Sequence, residues 1–469
     1  MFSRSCLPRI AAAIVALGLG SMAGAAAAVV FDVDSILDQV DDNTADGVCH
    51  TASNLCTLRA AVMQANVITG ENVRIELPSG LYTLVLPPSG ANGPENGDLN
   101  LTMPPVGGAI IEIRGAGAAS TIVDAAHIDR VLRIEAGRTA LISRLTMRNG
   151  LVDSINPEFG GGIYTSGVLT LYLCTIENNA MDAFSAGGGG IYNNGGFLHL
   201  SGCTVRGNTT NSSGGGIVNT GTLLLVQSTV SGNSAMGVGG GIYDSGTLQV
   251  SQSTISANTA HVDGGGIYSF GFPGPSISNS TFTLNDAYRD GGGIHAISAN
   301  LYSSTIVNNG ADFDADETGG VGGGLFAAGS GSFNLSNTLV AANTLFNAPI
   351  YDDCNGTFTS YRNNIFGEIP AACVVLVGGG GGWTALSSLD DLEPLRRNGG
   401  PTATMALRPG SNAIDGGDAT LGCTGPDGNP LLYDQRGAER ARGIRCDVGA
   451  YESGTLFFDG FESGDVAAW

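Results

Sequence analysis

The sequence predicts an all-β parallel β-helix, a solenoid, and three observations carry that prediction. The first is a period. One phrase recurs seven times between Gly160 and Asn343: a glycine run, an apolar pair, a short alternating stretch, then a Ser-Thr-Ile-like run closed by Asn. The residues after the glycine runs are Ile163, Ile191, Ile217, Ile242, Ile267, Ile294 and Leu325, in steps of 28, 26, 25, 25, 27 and 31. A fixed step in this range marks stacked repeats, each too small to bury a core alone. The second is alternation within each unit, as in Leu248-Gln249-Val250-Ser251, which has strand rather than helix periodicity. The third is punctuation, with Gly and Asn between short runs and few helix formers. Strands of three to five residues at this period suggest about three strands per coil.

Stacking at the inter-strand spacing of about 4.8 Å turns the repeat into columns. One column is Cys174, Cys203, Ser228, Ser253, Ser280, Ser304 and Asn337. Another is Asn179, Asn208, Asn233, Asn258, Asn285, Asn309 and Asn343. Stacked amides bond along such a ladder, and Asn tolerates left-handed corners. The glycines permit positive φ and close backbone approach. A third column, Tyr164, Tyr192, Val218, Tyr243, Tyr268, His295 and Phe326, follows inward apolar residues and therefore points outward. It reads as a self-packing ladder that shields the sheet, or as a stripe on which sugar rings stack.

The chain begins with Arg4 and Arg9 around an apolar stretch from Ile10 to Gly20 and small residues at Ala25-Ala26-Ala27, the pattern of a secretory signal peptide over 1–28. Beyond it no run of 18 apolar residues occurs, so no transmembrane helix is expected. Eight cysteines remain once Cys6 is removed, and in an exported chain an even number favours disulfides. Local spacing pairs Cys49 with Cys56, Cys354 with Cys373 and Cys423 with Cys446; Cys174 and Cys203 are either bridged or two stacked thiols. All 20 basic residues are Arg against 42 acidic ones, a net charge of −22. That charge argues against nucleic acid or anionic membrane as partner, and the absence of Lys excludes lysine-based catalysis and Walker-type phosphate loops.

In 29–69, Leu58, Ala61, Val62 and Ala65 fall on one face of a short helix with Thr57 as N-cap and Asn66 as stop. This helix is expected to cover the open end of the first coil. The run Cys56-Thr57-Leu58-Arg59-Ala60-Ala61 with Gln64-Ala65-Asn66 resembles the N-terminal domain named for its Cys-Ser-Leu-Arg-Glu-Ala signature, with Thr57 and Ala60 as departures. That resemblance implies a capping module ahead of a right-handed parallel β-helix in a secreted bacterial protein. Less regular coils follow, so the β-helix is expected over 70–345.

Phe282-Thr283-Leu284-Asn285 and the glycine triplets resemble the repeats of the polymorphic outer-membrane proteins, surface passengers joined to a C-terminal β-barrel. The 17 residues after Glu452 are too few for a barrel, so only the passenger likeness is carried over. In the non-repeat region 346–452, Asn398-Gly399-Gly400-Pro401-Thr402, Ala413-Ile414-Asp415-Gly416-Gly417, Asp434-Gln435-Arg436-Gly437 and Asp447-Val448-Gly449-Ala450-Tyr451 resemble a choice-of-anchor type domain of bacterial surface proteins. It implies surface display rather than a reaction, and Asp415, Asp434 and Arg436 read as turn and capping groups. The tail 453–469 resembles a C-terminal segment of exported proteobacterial proteins.

Candidates for chemistry are few. Asp312, Asp314, Asp316 and Glu317 sit in the longest repeat, where alternate carboxylates suit Ca²⁺ and equally a solvated acidic loop. β-Helices host polysaccharide lyases and hydrolases, which need acids convergent with a base. Here one outward strand column reads Thr170, His199, Leu224 and Gln249, and Arg206 and Arg289 show no acid at an evident coil offset apart from Asp290. The sequence thus favours an exported, non-catalytic surface or extracellular protein with an adhesive or structural role and a polysaccharide or cell-surface ligand. A Ca²⁺-dependent polysaccharide lyase is the alternative.

Overall fold

The structure, a computed structural model, describes residues 28–454 apart from 90–92, 103–108, 154–158, 184–186, 314–318, 347–349, 379–381, 419–421 and 441–444. It is a right-handed parallel β-helix whose third face stacks 12 strands among the described residues. Among the described residues no helix is long and apolar enough to cross a membrane.

One coil shows how the repeat is spent. Ile242–Asp244, Thr247–Ser251, Thr254–Ser256 and Thr259–Ala260 are successive strands. Each pairs in parallel with its counterpart one coil on, through Tyr243↔Tyr268, Val250↔Ile277, Ile255↔Phe282 and Ala260↔Ala287. Ile242, Leu248, Val250, Ile255 and Ala260 point inward and are at most 1% exposed. Each regular coil therefore has four strand faces, not about three. The fourth run is only two residues long, too short for alternation to reveal it. The first two faces join at the C-terminal end, where Cys354–Ser360 pairs with both Leu325–Ala327 and Phe333–Ser336.

The corners obey a more exact code than the sequence suggested. Positive φ falls not on the ladder asparagines but one residue before them, at Asn178, Ala257, Leu284, Asn308 and Ala342. The ladder amides then run from coil to coil: Nδ2 of Asn179, Asn208, Asn233, Asn258, Asn285 and Asn309 each donates to the next Oδ1 at 2.9 Å. The last, Asn343, donates to buried Asp353 at 2.8 Å, so a carboxylate closes the ladder. In the hydroxyl column, Cys203 N donates to Ser228 Oγ and Ser228 N to Ser253 Oγ, at 3.0 and 3.1 Å. Asn337 does not belong there. The register Thr305↔Leu339 places Thr338 in that column and Asn337 at the preceding left-handed corner, φ 49°. Gly264 shows why a glycine opens each coil: its φ is +70°, and a Cβ on the next residue, Gly265, would lie 2.5 Å from the Asp286 carbonyl oxygen.

Helix α1, Leu58–Val67, closes the N-terminal end with Leu58, Ala61, Val62 and Ala65 buried in the main core. Thr57 Oγ1 accepts from Ala60 N, and the helix runs one residue past the expected stop. Arg59 is fully buried; it pairs with Asp38 at 2.6 Å and donates to the carbonyls of Pro94 and Gly97. Arg138, also fully buried, reaches the Ala65 carbonyl at the helix's negative end. Parallel pairing does not respect the expected boundaries. It begins with Val29–Asp32 on Val73–Leu77 and continues through Cys373–Val377 and Trp383–Ala385. These end rungs lack the fixed step between glycine run and Asn that makes the repeat visible.

The Cys49–Cys56, Cys354–Cys373 and Cys423–Cys446 disulfides form as spacing suggested, while Cys174 and Cys203 are buried free thiols. After Ala385 the chain folds back along the third face. Met405, Leu407, Ala413 and Val448 pack on Val307, Leu339, Ala341 and Ile365. Thr281 Oγ1 donates to Gln435 Oε1 at 2.6 Å, Thr254 Oγ1 to the Ala403 carbonyl at 2.7 Å, and Arg440 to Asn279 Oδ1 at 2.7 Å. The third face is thereby covered along several coils.

Candidate functional site

With the third face covered, the flank formed by the fourth strands, the glycine corners and the first strands carries the site. The aromatic column lies there. Tyr164 stacks on Tyr192 with centroids 6.1 Å apart and Tyr243 on Tyr268 at 6.0 Å; His295 lies 4.8 Å from Tyr268 and 4.6 Å from Phe326. Phe159 and Phe270 lean on it from neighbouring loops. Its tyrosines are half-buried, so it shields the sheet and still presents ring surface.

Sequence reading missed a second stripe beside it. His261 stacks on Tyr288 at 4.2 Å, Tyr288 meets Phe313 at 5.7 Å, and Phe313 meets Phe346 edge-on at 4.5 Å. These residues follow the two-residue fourth strands, and the faint period of those strands hid the column.

At the glycine corner between the stripes lie Asp263 and Asp290, and His295 of the first stripe faces them. Each offers a ligand atom, and the three atoms lie within 4.8 Å of one another. The glycine corner places them. Asp263 and Asp290 immediately precede the first glycine of successive coils, where backbone pairing stacks one above the other: Gly264 N donates to the Asp290 carbonyl at 2.9 Å. Asp290 N donates to Asp263 Oδ1 at 3.1 Å, and Val321 N to Asp290 Oδ1 at 3.0 Å. Each carboxylate thus spends one oxygen on the next coil's amide. Two coils beyond Asp290, Asp352 accepts from Gly322 N at 2.7 Å. Exposed Arg289 comes to 3.9 Å from Asp263.

Burial sets the electrostatics. It raises the Asp290 carboxyl above its ordinary value, the Asp263 and Asp352 charges add to this, and the Val321 amide and Arg289 oppose it. Burial lowers the His295 imidazole, against the Asp263 charge and the Asp290 backbone. His295 is 8% exposed, and its buried Nδ1 makes no hydrogen bond. The Asp pair was legible in principle, since 27 residues separate both Asp263 from Asp290 and Ile267 from Ile294.

Of the expected Ca²⁺ ligands, Asp314, Asp316 and Glu317 lie outside the described residues. Asp312 is 4% exposed, and its amide donates to the Arg289 carbonyl at 3.1 Å. Arg206 does have an acid at coil offset: Glu177 is its register partner and pairs with it at 2.6 Å. His199 is buried between Thr170 and Leu224, and burial lowers its imidazole. Asp434 and Arg436 form a buried pair at 2.7 Å; Asp434 also accepts from the Ala438 and Glu452 amides, and Arg436 lies over Tyr451 at 3.7 Å. They lock the C-terminal fold. Asp415 caps a turn, with φ 53° and Oδ1 accepting from Arg445 N.

No protein-family model matches the chain. No curated protein matches it either. Among solved structures it is similar to the crystal structure of pectate lyase Pel9A, at 14% identity and a TM-score of 0.47, over 92% of this chain and 98% of that one. By its own parallel strand pairing the chain is a β-helix protein, and its function rests on its own site.

Proposed function

We propose that this chain is an exported, non-catalytic β-helix, displayed at the surface or released, whose aromatic flank binds polysaccharide. The observation that carries the reading is the pair of aromatic stripes running along the solenoid axis, half-exposed, on a flank other than the one on which the described C-terminal residues pack. Rings stacked coil upon coil offer an extended chain of sugars a repeated platform. The signal-like segment 1–28 and three disulfides support export. Within this reading, 29–69 acts as a cap of the Cys-Ser-Leu-Arg-Glu-Ala type, 346–452 as a choice-of-anchor type domain and 453–469 as a sorting tail. Ca²⁺ at Asp312, Asp314, Asp316 and Glu317 belongs to it too, supported within the described residues by the unpartnered, buried Asp312 Oδ1. The test is retention of the mature chain on a panel of immobilised neutral and acidic polysaccharides. Retention without product release, weakened at least tenfold in Tyr268→Ala, is expected; no retention on any polymer overturns it.

A second reading, a polysaccharide lyase, is favoured by one observation: Asp263, Asp290, Arg289 and His295 meet on that same flank. Release of unsaturated oligosaccharide by wild type and not by Arg289→Ala would establish it in place of the first.

A further inference from the structure

We propose that Asp263, Asp290 and His295 form a binding site for a divalent transition-metal ion of the zinc type at the junction of two coils. The inference is independent of polysaccharide binding. Among the described residues, no other group of three His, Cys, Asp or Glu side chains converges in this way. Zinc ligands stand about 2.0–2.2 Å from the ion, so that tetrahedral neighbours are about 3.3 Å apart, and a spread of 4.8 Å closes with small side-chain rotations.

The acids alone would not carry this. His295 supplies the independent observation. Its register partners are Tyr268 and Phe326, which fill the column with carbon. An imidazole there, 8% exposed with Nδ1 unpartnered, incurs desolvation that the Asp290 backbone offsets only in part. The same ring offers a ligand atom to two carboxylates. The acids are equally out of pattern: Ser213, Val238 and Val321 hold the corresponding corner in other coils, their carbonyls accepting from the first glycine of the preceding coil. Two ionised carboxylates stacked on adjacent coils repel, which a proton or a cation between them relieves, and among the described residues the cation shown near them, Arg289, is 3.9 Å from Asp263 and largely exposed.

The donor set selects the ion. Ca²⁺ takes six to eight oxygens, whereas an imidazole with two carboxylates suits a borderline ion such as Zn²⁺. Three protein ligands leave the fourth position of a tetrahedral ion for water or a ligand group. The backbone amides on Asp263 and Asp290 orient the carboxylates from outside the ligand set, as supporting hydrogen bonds do in metal sites.

The test is calorimetric titration of the EDTA-stripped mature chain with Zn²⁺, and separately with Ca²⁺, for wild type, His295→Phe and Asp290→Asn. Phe is already the residue one coil on, and Asn keeps an oxygen for the Val321 amide, so both variants preserve the fold; far-UV circular dichroism verifies that. One Zn²⁺ per chain is expected, bound at least tenfold more tightly than Ca²⁺ and at least tenfold more weakly in each variant. Zn²⁺ should raise the melting temperature of wild type and not of His295→Phe. No Zn²⁺ binding by wild type, equal binding by both variants, or preference for Ca²⁺ overturns the proposal. Equal binding by the variants would instead point to thiols such as Cys174 and Cys203. Polysaccharide retention measured in EDTA reports on the other reading separately.

Discussion

Replacing Asn258 by Ala tests whether the asparagine ladder supports the solenoid or merely decorates it. Asn258 is fully buried. Its Nδ2 donates to Asn285 Oδ1 at 2.9 Å and to the Val230 carbonyl at 3.0 Å. Its Oδ1 accepts from Asn233 N at 3.1 Å and Asn233 Nδ2 at 2.9 Å. Alanine removes two donated bonds and strands the Asn233 backbone amide in the interior. An orphaned buried donor costs about 1–3 kcal/mol, each lost bond about 1 kcal/mol, and the vacated space adds more, so a loss of about 3–5 kcal/mol is expected. The control is Asn300→Ala, on a partly exposed strand position where Asn334 Nδ2 donates to Asn300 Oδ1; it should cost less than about 1 kcal/mol. The assay is equilibrium urea unfolding of the mature chain. Native-state hydrogen exchange then checks that protection falls first in the adjoining coils, because repeat arrays need not unfold in two states. A loss for Asn258→Ala below about 1 kcal/mol, or equal to that of Asn300→Ala, would refute the reasoning.

Three further outcomes follow from the same geometry. Burial raises the Asp286 carboxyl to about 7. The folded state therefore holds that proton more tightly than the unfolded chain, and its contribution is lost as pH rises from about 4 to about 7, by up to about 4 kcal/mol. Urea midpoints should fall over that window in wild type and flatten in Asp286→Asn; identical pH profiles would contradict it. Gly265→Ala should cost more than about 3 kcal/mol, because its Cβ meets only rigid backbone of Asp286 at 2.5–2.6 Å, whereas Gly329→Ala, with positive φ but open space, should cost about 1 kcal/mol. Thermal melts compare them, and similar losses would sink the close-approach account. Cys174 and Cys203 should resist a thiol reagent in the native protein and yield two thiols in denaturant; Cys203→Ser, which continues the Ser228 column, should stay within about 1 kcal/mol of wild type. Rapid native labelling would place these thiols at the surface instead.

The sequence by itself determined the coil. Each period is one turn, so a constant offset along the chain is a neighbour in space. Ile242 over Ile267 and Asn233 beside Asn258 are thus local facts that periodicity exposes. The three disulfides were legible for a similar reason, each closing a short loop. Tertiary structure decided whatever lacks that period. Asp353 closes the Asn ladder ten residues after Asn343, a step no column predicts. Gln435 meets Thr281 across 154 residues, and only that docking reveals which face is covered. Asp263, Asp290 and His295 fall between the two cases. Their coil positions are periodic and readable, but their convergence depends on side-chain directions at a left-handed glycine corner, which a one-dimensional pattern does not carry.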